Sequence, residues 1–142
     1  MIKKINTLTP FELEEIMKIW LTANCEAHPF IPESYWKDNL AFVREQLPQA
    51  DLYTYSENNK IIAFLGMNEN YIAGIFVLSN YRSKGIGQKL LNEAKRTHDT
   101  LSLSVYVRNQ NAVKFYKKQG FKQINQQVDS TGELEYQLAW EK

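Results

Sequence analysis

An α+β layer sandwich is the fold class this sequence predicts, on three observations. Segments with strand-like and helix-like apolar patterns are mixed along the chain in the order β-α-α-β-β-β-α-β-α-β-β. The most apolar of them, Tyr71 to Leu78, reads as a strand buried on both faces and leads through a glycine-bearing turn into an amphipathic helix. The 142 residues hold no repeat, linker or low-complexity tract, so residues 1–142 are read as a single domain.

Ile2 to Asn6 is the first short strand. Thr9 at the N-cap, Pro10 at N1 and Glu12 at N3 predict a capped helix, with Leu13, Ile16, Met17, Trp20 and Leu21 on its apolar face. His28-Pro29-Phe30-Ile31-Pro32 breaks that helix, and its two prolines predict an extended loop. A second helix is expected from Glu33 to about Leu47, where Pro48 ends it. Asp51 to Ser56 and Ile61 to Met67 read as a hairpin around Glu57-Asn58-Asn59-Lys60. Asn68-Glu69-Asn70 then turns the chain into the Tyr71 strand. Ile86, Leu90, Leu91 and Ala94 share one face of the next helix, which ends near His98, read as a C-terminal cap. Leu101 to Val107 alternates as a strand. A helix from Asn109 or Gln110 stops at Gly120, and Phe121 to Val128 and Leu134 to Trp140 form the last strand pair.

Composition excludes several classes. Apolar residues make up 44% and charged residues 23%, which is globular and not disordered. Seventeen basic and 16 acidic residues nearly cancel, so the chain lacks the basic excess of a dedicated nucleic-acid binder. One cysteine, Cys25, forms no internal disulfide and suits a reducing compartment. No run reaches the ~18 apolar residues of a membrane span, and the N-terminus shows no signal-type apolar core. The expectation is a soluble cytoplasmic protein, monomer or homodimer, with no membrane or nucleic-acid partner and no metal.

The chemistry starts at Arg82-Ser83-Lys84-Gly85-Ile86-Gly87. Glycines at a helix entrance admit a ligand close to the backbone, and the first-turn N–H groups there have no helical partners. With the helix dipole and two cationic side chains, those donors suit phosphate. It is not a dinucleotide fingerprint, because Leu90 stands where the third glycine would fall. Nor is it a Walker loop, since Gly87-Gln88-Lys89 lacks the Gly-Lys-Ser/Thr ending.

Two motifs in their strand–helix context resemble the GCN5-related N-acetyltransferases (GNAT). They are Arg82-x-x-Gly85-x-Gly87 after the apolar strand, and Asn109-x-x-Ala112-x-x-Phe115-Tyr116-x-x-x-Gly120-Phe121 after the following one. The element order agrees over nearly the whole chain. His28 to Pro32 followed by Tyr35-Trp36 further resembles a group of small stand-alone bacterial members, the YiaC type. The resemblance implies a mixed, mostly antiparallel sheet of about seven strands with helices on both faces. It also implies acetyl-CoA as cosubstrate and an amine acceptor, either a small molecule or a protein lysine or N-terminus.

Residue by residue, the resemblance assigns the coenzyme A pyrophosphate to Arg82, Ser83, Lys84, Gly85, Ile86 and Gly87. Ile75, Phe76 and Val77 take the pantetheine arm by backbone hydrogen bonds. A backbone N–H there also suits the oxyanion of the tetrahedral intermediate, a contribution of about 3–4 kcal/mol in acyl-transfer enzymes. Asn109 meets the coenzyme arm, and Tyr116 is the acid for the leaving thiolate. The base departs from the pattern. Tyr71 stands where several members carry glutamate, and a phenol with a reference pKa of about 10 is a poor base. Glu69 and His28 are the replacement candidates, beside bulk water, and His28 equally suits a pocket-shaping role. Phe30 and Trp36 are candidates for the acceptor wall. A non-catalytic acyl-CoA-binding sensor is the alternative function, because of Tyr71.

Overall fold

The computed structural model describes residues 1–142. Its first strand, β1 (Ile2–Ile5), is followed by helix α1 (Pro10–Ala27). The capping box read from the sequence is formed: Thr9 Oγ1 accepts from the Glu12 N–H at 3.2 Å, and Glu12 Oε1 accepts from the Thr9 N–H at 3.1 Å. Next come α2 (Glu33–Asp38) and α3 (Leu40–Gln46), then the hairpin β2 (Asp51–Glu57) and β3 (Lys60–Asn68). After them run β4 (Tyr71–Val77), α4 (Ile86–Thr97), β5 (Thr100–Tyr106), α5 (Gln110–Lys118), β6 (Lys122–Val128) and β7 (Leu134–Glu141).

Two expectations need correction here. The single helix from Glu33 to Leu47 is two helices, so the order is β-α-α-α-β-β-β-α-β-α-β-β. The break is at Asn39, whose side-chain amide donates to the Tyr35 carbonyl at 2.7 Å, so it competes for the carbonyl a continuing helix would use. Nor is the His28–Pro32 loop extended. The Ile31 N–H donates to the His28 carbonyl at 3.1 Å and closes a turn, which buries Ile31.

All seven strands join one sheet in the order β1-β2-β3-β4-β5-β7-β6. Every pairing is antiparallel except β4 with β5. Asn58 and Asn59, both at positive φ, make the two-residue turn of the β2–β3 hairpin, where asparagine tolerates the left-handed region. Helices cover both faces. Ile16, Met17 and Ile19 of α1 pack on Leu52, Ile61 and Phe64 of the sheet. On the other face Leu90, Leu91 and Ala94 of α4, with Val113 and Tyr116 of α5, pack on Ile62, Leu65, Ile72, Leu103 and Leu138. No helix is long and apolar enough to cross a membrane.

Candidate active site

The parallel pair β4–β5 is the short one. It holds only at Tyr71↔Ser102 and Ile72↔Leu103, and past those residues the strands part. β4 stays paired with β3 as far as Val77, and β5 with β7 along its length. Along Ala73 to Val77, the edge of β4 that faces β5 therefore has no strand partner. Apart from the Val77 carbonyl, which accepts from Arg82, its backbone donors and acceptors are open to an extended ligand, which adds to a sheet edge by the same hydrogen bonds as a strand. The gap opens into a cleft of about 1190 Å³. Gly74 is needed in its wall, because a Cβ there would fall 2.4 Å from the Phe76 ring. That ring packs on Phe64 with centroids 5.0 Å apart.

One end of the cleft is the entrance of α4. Gly85 is its N-cap, at φ +80°, a conformation that glycine adopts without strain. No side chain caps the helix and its first turn carries no acidic residue, so its first N–H groups face the cleft mouth uncompensated. Arg82 lies across this mouth: Nε donates to the Val77 carbonyl at 2.9 Å, and a terminal nitrogen pairs with Glu26 of α1 at 3.1 Å. Ser83, Ile86 and Gly87 line the cleft with Ile75, Phe76 and Val77. Lys84 does not; its ammonium lies over the Tyr81 ring, 5.6 Å from the centroid.

Tyr116 of α5 also lines the cleft. Its ring is 8% exposed, held edge-on between Phe115 and Phe121. Burial first, and the neighbouring Tyr71 phenol second, hold its pKa well above the ordinary phenol range. The hydroxyl thus keeps its proton throughout the physiological range.

His28 sits on the opposite wall, at the C-cap of α1. It stacks on Trp36 (5.3 Å, 28°) and meets Phe30 and Tyr106 edge-on at 5.6 and 5.0 Å. Trp36 is buried behind the ring, whereas Phe30 reaches the cleft. Asn109 caps α5 by accepting from the Ala112 N–H at 3.3 Å and turns its amide nitrogen toward His28 Nε2 at 3.4 Å. The amide nitrogen donates, so Nε2 is placed to accept from it, while Nδ1 is buried with no partner at full hydrogen-bond geometry and the Asn24 backbone nearby. Burial lowers the pKa of His28 below the usual imidazole value, and the Asn24 backbone opposes this only in part.

Of the two base candidates, the structure brings only His28 to the cleft. Glu69 occupies the β3–β4 turn at φ +55°, exposed and outside the cleft lining. Tyr71 is 41% exposed at the narrow end where β4 and β5 still pair. Cys25 lies outside the lining, and burial chiefly, with Glu33, raises its thiol pKa. His98 caps α4 as expected, its Nδ1 2.9 Å from the Ala94 carbonyl. Sequence reasoning missed Glu26, Tyr106 and Glu135, all of which line the cleft. Tyr106 donates to Asp129 at 2.5 Å, and burial first, then this bond, raises its pKa. Strand register brings in Tyr106 and Glu135, and the packing of α1 brings in Glu26; no local pattern displays either.

An open strand edge, an uncapped helix entrance and a protonated phenol surround one cleft. The chain belongs to the GCN5-related N-acetyltransferase family, for residues 48–123 match the model of the acetyltransferase (GNAT) domain. It is 36% identical over 112 residues to the peptidyl-lysine N-acetyltransferase YiaC of Escherichia coli K12, covering 78% of this chain and 77% of that one. With the peptidyl-lysine N-acetyltransferase YjaB of the same organism it shares 30% over 123 residues, 85% and 84% of the two chains. The solution structure of apo YjaB from Escherichia coli superposes with a TM-score of 0.84 at 27% identity, covering 99% and 96%. Within the family, then, the chain is a small member of the YiaC type.

Acid should act on the His28 wall. Because the folded pKa lies below the unfolded one, the unfolded chain binds the extra proton first. The associated stability is complete above the ordinary value of 6.5 and is lost as pH falls from there toward the folded pKa. Denaturant midpoints followed from about pH 7.5 to 5.5 should fall in the wild type and fall less in His28→Gln. Equal slopes in the two proteins would show that His28 is not held neutral by its surroundings.

Proposed function

We propose that the protein transfers the acetyl group of acetyl-CoA directly to the side-chain amine of a protein lysine. The observation that carries this reading is the parting of β4 and β5, which puts an unpaired strand edge between the α4 entrance and Tyr116. The names of YiaC and YjaB support a lysine acceptor. With its single cysteine, the chain fits a cytoplasmic site of action.

In this reading the N–H groups of Gly85 to Gly87, with Arg82 and Ser83, hold the pyrophosphate, and Lys84 supplies field from outside the cleft. The backbone of Ile75 to Val77 binds the pantetheine amides, and one N–H there receives the oxyanion. The amine, its ammonium proton lost to water, forms a bond to the carbonyl carbon, and the carbon–sulfur bond then breaks. Tyr116 gives its proton to the departing thiolate, and the proton that the new amide nitrogen sheds returns to the phenolate, which burial makes a strong acceptor for it. His28, its Nε2 turned to Asn109, holds the mouth in shape. It is the base only if it releases that contact. Glu69 would need the β3–β4 turn to reach the cleft.

Gly87→Val tests the cradle. A Cβ at Gly87 lies 3.7 Å from the Phe115 ring, so a methyl fits and further branches intrude on the space between α4 and α5. Calorimetric acetyl-CoA affinity should fall at least about tenfold while the circular dichroism spectrum is unchanged. Unaltered affinity would remove the cradle from this reading. Gly85 is a poorer probe, since its positive φ strains any side chain.

Tyr116→Phe tests the acid. With a lysine peptide and thiol release as the readout, kcat should drop about ten- to a thousandfold with acetyl-CoA affinity kept. A wild-type kcat would assign thiolate protonation elsewhere. A wild type that binds acetyl-CoA tightly and releases no thiol with any amine would instead match the sensor reading that Tyr71 raises.

A further inference from the structure

The charges around the cleft differ in whether they are paired. On the α4–α5 side are the uncapped helix entrance and Lys118, all suited to an anion. Two carboxylates line the cleft, Glu26 and Glu135, and Glu26 is already paired with Arg82. The other arginine at the rim, Arg108, is paired with Glu133 at 3.4 Å. Glu135 takes part in no ion pair. It is thus the one cleft carboxylate whose charge is not already answered by a cation.

Its place is set by register. Glu135 of β7 stands directly opposite Tyr106 of β5, so both side chains lie on the same face of the sheet. Tyr106 packs against His28 and Phe30, and Glu135 consequently stands beside the loop that forms the wall away from α4 and α5. On its other flank Gln127 of β6 donates to Glu135 Oε1 at 2.9 Å, which orients the carboxylate and leaves its second oxygen free. The residue is only partly exposed, so water screens its charge less than at a free surface.

We propose that Glu135 is the specificity-determining anion of the acceptor subsite: it draws in the acceptor's ammonium group and orients it, so that cationic amines are selected over neutral ones. This rests on the transferase reading and names what that reading leaves open, the feature of the acceptor that the cleft recognises. A lysine side chain entering here passes the Tyr106 ring before it meets the carboxylate, while the Phe30 ring already carries the Arg108 guanidinium, 5.6 Å from its centroid. Gln127 is a positioning residue for Glu135.

The test uses the full chain and a blocked pentapeptide with one central lysine, with rates read by thiol release at two ionic strengths. For Glu135→Gln, which keeps the shape and the Gln127 hydrogen bond, KM for the peptide should rise about tenfold or more while KM for acetyl-CoA is unchanged. Glu135→Asp should recover most of the loss, and Glu135→Lys should deepen it. Added salt should raise the wild-type peptide KM and leave that of Glu135→Gln nearly flat, a response that a merely structural role would not produce. If the wild type acetylates the peptide and all three variants match it in KM and salt response, the assignment of Glu135 is overturned and the transferase reading stands. If the wild type releases no thiol with the peptide, the lysine-acceptor reading fails first, and this inference fails with it.

Discussion

The structure depends on one broken pairing. β4 and β5 share only two residue pairs, and the sheet is otherwise two complete halves, β1 to β4 and β5-β7-β6. Each half satisfies its own ladder, so the break exposes only the two facing edges, where water or a ligand can pair with the backbone. Buried Ile72 and Leu103 pin the narrow end, 1% and 2% exposed. α4 packs against strands of both halves and keeps them from sliding apart. A cleft held in this way is open before any ligand arrives, which spares binding the cost of ordering a loop.

The two walls then divide the chemistry. The wall of α4 and α5 is rich in unpaired donors and carries Tyr116 with its proton secured by burial. The opposite wall is an aromatic cluster around a neutral His28, tied to α5 through Asn109 and braced by Trp36. Arg82 joins the walls by its bond to Val77 and its pair with Glu26. Both partners of that pair are about 40% exposed, so it adds little stability, about 0–1 kcal/mol. What it contributes is position: a guanidinium held across the mouth, next to the open N–H groups.

Much of this was legible in the sequence because it is local. The apolar run of β4, the glycine at the α4 N-cap, the Thr9–Glu12 box and the Asn109 and Gly120 ends of α5 are each written within a few residues. The Asn39 break was not, because a single side-chain amide competing for the Tyr35 carbonyl leaves the apolar stripe from Trp36 to Leu47 intact. Glu69 looked close to Tyr71 in sequence, yet the turn between β3 and β4 carries it outside the cleft lining. Glu26, Tyr106 and Glu135 could not be found that way, since each faces the cleft through a pairing or packing with residues far along the chain. The nearest sequence signal was the alternation of β5 and β7, which fixes faces once the register between them is known.

The central claim is that the gap between β4 and β5 is the coenzyme site, and backbone amide resonances test it most directly. With isotopically labelled protein titrated with coenzyme A, the amides of Gly74 to Val77 and of Ile86 to Gln88 should shift together and saturate at one affinity. Saturable binding that leaves those amides unmoved, with shifts confined to other strands or helices, would contradict the account.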